Sequence, residues 1–155
     1  RPEVRAAVPS QSGHKRESAE FVVLALMIQD WNAIASWMNE ALFADDVYRR
    51  AFLALIATEG ELNAALESAD PEAREALERA AVADVESQPD AEAFNLISAA
   101  VRRELSHRVK NIDPEQIRVD RDARLLLEQL ENPTTSHDAA EQLLGWLNMC
   151  MGEHS

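Results

Sequence analysis

Between Asp90 and Ile112 the apolar residues Phe94, Ile97, Val101, Leu105, Val109 and Ile112 return at steps of three and four. At 100° per residue they fall on one stripe, the signature of an amphipathic helix. The pattern predicts a helix of about 34 Å at 1.5 Å per residue. Pro89 and Asp90 mark its start, and Asn111 to Pro114 mark its end, since proline is tolerated only in a first turn and a short acid accepts from the free N–H groups there.

Ahead of it, Ser18 to Ile28 is apolar nearly all round, which in a short helix implies burial on several sides. Asp30 is placed to cap a second helix carrying Trp31, Ile34, Trp37 and Met38. Asp45 and Asp46 are placed to cap a third, with Val47, Ala51, Phe52, Leu55 and Ile56 inward and Gly60 as its terminator. A short fourth helix spans Glu61 to Ala69, and Asp70-Pro71 opens a fifth that runs to about Asp84.

Behind it, Asp113, Pro114 and Gln116 offer a further capping arrangement. Two more helices are then expected, Val119 to Glu131 and Ser136 to Met151, broken at Asn132-Pro133 and capped again by Thr135 or Ser136. So short a connection makes them an antiparallel hairpin. In the last helix Ala140, Leu143, Leu144, Trp146, Leu147, Cys150 and Met151 cover more arc than one partner helix would, while in the preceding one Leu125 points away from the stripe. The expected fold is therefore all-α: a multi-helix bundle, a long connecting helix, and a C-terminal helical hairpin. The corresponding segments are a flexible basic linker at 1–16, the bundle with its long helix at 17–112, and the hairpin at 113–155.

Four glycines in 155 residues and abundant Ala, Leu and Glu agree with helix throughout. The formal charge is −13. Arg1, Arg5, Lys15 and Arg16 against Glu3 give the first sixteen residues +3, which leaves −16 for the remainder. A surface of that sign repels phosphate backbones, so direct nucleic-acid binding by the folded part is not expected. One cysteine, Cys150, excludes an internal disulfide and fits a reducing cytoplasm. The apolar run Phe21 to Ile28 falls short of a bilayer span, so no membrane partner is expected.

No phosphate-binding glycine loop, nucleophile elbow or His-Glu-x-x-His motif occurs. His14, His107, His137 and His154 lack ligand spacing, and acidic pairs such as Asp120 and Asp122 arise readily among 28 carboxylates. No catalytic residue, metal or cofactor is expected. The cluster Arg102, Arg103, His107, Arg108 and Lys110 reads either as a solvated helix face or as a docking patch for an acidic segment.

The blocks WMNEALFADDVYRRAFLAL (Trp37 to Leu55) and ALESADPEAREALERAAV (Ala65 to Val82), the RREL of Arg102 to Leu105, and the closing LLGWL of Leu143 to Leu147 resemble the C-terminal domain of bacterial DnaG-type DNA primases. The resemblance covers about Glu17 to Met151. It implies a helical subdomain joined by a long helix to a terminal hairpin, and a module that binds the N-terminal domain of the replicative DnaB-type helicase, coupling primer synthesis to the replication fork. It carries no catalytic residues over, because primase catalysis belongs to other domains of that family. The expected partner contacts are Leu125, Trp146, Leu147 and Met149 on the hairpin, with Arg102 and Arg103 secondary, and Trp146→Ala is expected to weaken binding without unfolding the bundle. The chain is expected to be monomeric. The alternatives are the related N-terminal domain of a replicative helicase, a self-associating helical domain that dimerises through the hairpin, and a small metal-dependent helical enzyme.

Overall fold

A computed structural model describes residues 18–110 and 113–154. The expected linker at 1–16 lies outside the described residues, as do Asn111 and Ile112. Every regular element among the described residues is helical: α1 Ala19–Gln29, α2 Trp31–Ile34, α3 Asp46–Ala57, α4 Leu62–Ser68, α5 Pro71–Ala81, α6 Pro89–Arg108, α7 Pro114–Leu130 and α8 Ser136–His154. Two single 3₁₀ turns, Ala35–Trp37 and Glu40–Leu42, join α2 to α3.

Helix α1 is the centre of the bundle. Its Phe21, Val23, Leu24, Ala25, Leu26 and Met27 are all buried, and α2, α3, α5 and α6 pack around it. A helix apolar on every side has no face to give to water, so neighbours must enclose it. Small residues let two of them approach closely: Ala73, Ala76 and Ala80 on α5, and Ala93 and Ala100 on α6, are buried. The start of α1 is fixed by the Ser18 hydroxyl, which accepts from the Phe21 N–H at 3.1 Å. Glu20 reaches across to accept from the backbone N–H groups of Ala44 and Asp45, placing the entry to α3 beside α1.

Several predicted boundaries hold and several move. Asp45 accepts from the N–H groups of Val47 and Tyr48, and Asp70 from those of Glu72 and Ala73, so both cap their helices as the sequence indicates. Asp30 makes no side-chain cap; its backbone N–H instead closes the last turn of α1 on the Leu26 carbonyl. Helix α5 stops at Ala81, short of Asp84, and α6 begins at Pro89 and stops at Arg108. Because α6 stops there, the apolar stripe ends at buried Leu105, and Val109, just past the last turn, is 64% exposed. Ile56, expected inside, faces outward because α3 buries only the row through Ala51, Phe52 and Leu55. Helix α7 starts five residues earlier than Val119: Pro114 takes its first position and Asp113 accepts from the Glu115 N–H, so the proline opens the helix rather than separating two.

The end of α3 shows a local constraint that sequence alone assigns to the wrong residue. Glu59 occupies the left-handed position (φ 52°), the Gly60 N–H donates to the Leu55 carbonyl and the Glu59 N–H to that of Ile56, the hydrogen-bond pattern of a Schellman motif. Gly60 follows at φ 86°, itself a conformation that favours glycine, and the Trp31 ring lies over it: a Cβ there would come within 2.6 Å of a ring carbon. Gly60→Ala is therefore expected to cost about 2 kcal/mol, from left-handed strain and the forced shift of the indole, read as a lower urea midpoint in equilibrium unfolding.

Arg50 ties α3 to α5. Its guanidinium bridges Asp46 one turn earlier, the capping Asp70, and Glu72. Arg50, and after it Arg49, hold the Asp46 carboxyl below its usual value, and Arg50 does the same for Asp70. A carboxylate whose folded pKa is depressed stabilises the fold above its unfolded pKa and loses that contribution as pH falls through the folded value. The urea midpoint is thus expected to fall as the pH is taken below the usual aspartate value of 3.8. In Arg50→Met that acid limb should be flatter and the neutral-pH stability lower.

Candidate protein-interaction surface

The hairpin does not hang from the long helix. Helix α8 packs along α6 and touches both 3₁₀ turns, while α7 packs against both α6 and α8. Helix α6 is consequently a shared wall, with α1 and α2 on its bundle side and the hairpin on the other. The hairpin turn is fixed by the Asn132 side chain, which accepts from the Thr134 N–H, and by the Thr135 hydroxyl, which donates to the Gln129 carbonyl at 2.7 Å.

Three joints hold hairpin to bundle. At the start of α8, His137 sits edge-on to Trp37 and Phe94 with ring centroids 5.6 Å and 5.3 Å away, and its Nε2 is 3.2 Å from the Asp90 carboxylate. Near the end of α8, Asn39 donates to the side-chain oxygen of Asn148. Between these lies a buried ionic cluster. Arg108 and Asp120 side chains are only 8% and 7% exposed, and the guanidinium Nε lies 3.0 Å and 3.2 Å from the two Asp120 oxygens. Glu104 stands 3.8 Å from the same guanidinium, Gln116 donates to Asp120 at 3.1 Å, and the Trp146 ring lies 5.7 Å from the Arg108 Cζ. One cluster thus spans α6, α7 and α8.

This placement reassigns several expected contact residues. Trp146 is 7% and Leu147 3% exposed: both are core of the α6–α8 seam, because the wide apolar arc of α8 is covered by the bundle. Arg103 donates to the Ala41 carbonyl at 3.3 Å and so braces a 3₁₀ turn. The basic cluster read from the sequence is therefore divided, with Arg103 and Arg108 engaged inside and Arg102, His107 and Lys110 exposed. Leu125 is 51% exposed and Met149 42%, so these two expected contacts do lie at the surface. Sequence reasoning missed the Arg108–Asp120 pair, although a signal was present. Asp120 falls in the row of Ala123, Leu127 and Leu130, where an acid needs a buried partner.

The surface recess with the largest volume among those described, about 430 Å³, runs between α6 and α7, floored by Leu105, Val109 and Leu127 and edged by Arg102, Arg124, Glu128 and Glu131. Leu125 lines a second, shallower depression on the far side of Glu128, bounded by Gln129, Asn132 and Thr135. No group of three or more His, Cys, Asp or Glu side chains among the described residues is arranged to hold a metal ion, and no helix among them is long and apolar enough to cross a membrane. The described residues form an all-helical protein whose hairpin packs against the long helix and exposes Leu125 and Met149. No protein family, curated protein or solved structure matches the chain.

Proposed function

We propose that this chain is a protein-interaction module of the kind found at the C-terminus of bacterial DnaG-type primases, binding the N-terminal domain of the replicative helicase through the outer face of its hairpin. The observation that carries the reading is Leu125: a large apolar side chain half exposed on α7, in a hairpin whose Leu127, Leu130, Leu143 and Leu147 are all buried. Such a residue has no role in the chain's own core, and a large apolar group in a surface depression is what a partner's side chain covers at a binding hot spot. The order of elements, with a compact bundle, a long helix and a terminal hairpin, supports the same reading, as does the run of motifs from Trp37 to Leu147. Met149 and Arg102, both exposed, extend the proposed contact surface, while Trp146, Leu147 and Arg103 are left out of it.

Deleting the hairpin is a poor test. A cut before Val119 falls inside α7 and removes most of α7 and all of α8, both of which pack on α6. The direct test is calorimetric titration of the intact chain with the helicase N-terminal domain from the same genome, beside sedimentation equilibrium of the chain alone. Saturable one-step binding with a monomeric chain supports the module. Absence of heat together with a concentration-dependent dimer would replace it with the self-associating domain.

A further inference from the structure

Among the described residues of this acidic protein, positive charge is concentrated in one place. Seven of its fifteen Lys and Arg residues fall between Arg102 and Arg124, against five acids in the same stretch, which makes it +2 within a chain of −13. Elsewhere among the described residues the cations are committed: Arg49 and Arg50 to the carboxylates around the start of α3, Arg74 to Glu78, and Arg79 over the Phe21 ring. Within the stretch, Arg103, Arg108 and Arg118 are engaged with Ala41, Asp120 and Glu115. Lys110, Arg121 and Arg124 have no carboxylate partner among the described residues, and Arg102 has only Glu131, at 3.8 Å.

Arg124 stands where two recesses meet. It lines the α6–α7 groove and also a recess of about 240 Å³ that continues past Val109 to Ile117, next to the Arg108–Asp120 pair. The two share Val109 and Arg124, so the concave surface is continuous. Its floor is apolar, with Val109 and Ile117 both at least half exposed. Asp120, which lines the second recess, is paired with Arg108; the other acidic members, Glu128 and Glu131, lie with Arg102 toward the earlier turns of α6, away from Ile117 and Lys110. The groove therefore has a basic, apolar end and a mixed end.

We propose that this groove is a docking site for an acidic amphipathic helix of a partner protein, which lays its apolar row on Leu105, Val109, Ile117 and Leu127 and sets carboxylates beside Arg124. The groove adjoins the Leu125 depression at Glu128 but Leu125 does not line it, and the proposal rests on Arg124 and the apolar floor rather than on the helicase reading. Charge complementarity selects the occupant: an apolar floor takes an apolar helix face, and an unpaired guanidinium beside it is matched by a carboxylate through two parallel hydrogen bonds. A basic segment would meet Arg124 with like charge, and since Asp120 beside it is already paired with Arg108, only Glu128 and Glu131 would be left to it.

The test uses two fluorescein-labelled amphipathic peptides of equal length with the same leucine row, one flanked by glutamates and the other by lysines, titrated with the full chain by anisotropy. Tighter binding of the glutamate peptide by about tenfold or more at low ionic strength is expected, with the margin narrowing as salt is raised. Arg124→Glu, at an exposed site, should abolish the preference while leaving the helical spectrum and urea midpoint unchanged. Val109→Asp should weaken the glutamate peptide as well. Equal affinity for both peptides, or a preference that survives Arg124→Glu, overturns the proposal. So does a dimer of the chain alone that Val109→Asp abolishes, since the groove would then belong to a second copy.

Discussion

Replacing Trp146 with alanine is expected to destabilise the protein by about 3–5 kcal/mol, the range for removing a buried large aromatic, and to loosen the hairpin from α6. The indole is 7% exposed and fills the α6–α8 seam beneath the Arg108 guanidinium. Its loss removes apolar contact and also uncovers a buried charge. Urea unfolding followed by far-ultraviolet circular dichroism measures the loss. Trp146→Phe is the informative companion: Trp146 Nε1 has no acceptor among the described residues, so phenylalanine forfeits ring volume but no hydrogen bond, and the loss should be markedly smaller. Full stability in Trp146→Ala with weakened partner binding would return the indole to the surface role its position in the sequence suggests.

Arg108→Met is expected to cost a similar amount, about 3–5 kcal/mol, because breaking one side of a buried ion pair leaves an uncompensated charge. Asp120 would keep only Gln116, and Glu104 would lose the cation it faces. The double variant Arg108→Met/Asp120→Leu should recover most of that loss, since apolar groups of similar volume replace a buried pair with little penalty. The two single variants and the double variant form a thermodynamic cycle in equilibrium unfolding. If each single costs less than about 1 kcal/mol, the scale of a surface pair, the cluster is not what joins the hairpin to the long helix.

Local signals in the chain were legible where a few adjacent residues decide the outcome. The caps at Asp45 and Asp70, the first-turn proline at 71, the break at Asn132-Pro133, and the burial of most of α1 each follow from chemistry within one or two turns. The outward position of Leu125 was legible too, since it lies off the row that α7 buries. What was not legible depends on neighbours distant in sequence. Periodicity shows that α8 carries a wide apolar arc but not that the bundle covers it, and so Trp146 and Leu147 read as surplus when they are core. The same limit applies to Arg103 and Arg108, which look like parts of one patch until Ala41 and Asp120 are brought beside them. His137, unremarkable in sequence, joins α8 to the bundle only because Trp37 and Phe94 meet there. Gly60 was recognised as a terminator, but the first left-handed position of the motif belongs to Glu59, and the glycine is required both by its own positive φ and by the Trp31 ring above it.

The measurement that bears most directly on the proposed function is a paired calorimetric titration of the native chain and its Leu125→Glu variant with the helicase N-terminal domain. Leu125 is half exposed and outside the core, so the variant should keep its helical spectrum and its urea midpoint. A charge placed in the contact should weaken binding by about 2 kcal/mol or more, the scale of a hot spot, equivalent to roughly thirtyfold in affinity. Unchanged affinity in a folded Leu125→Glu variant would contradict the account, because the hairpin's outer face would then not be where the helicase binds.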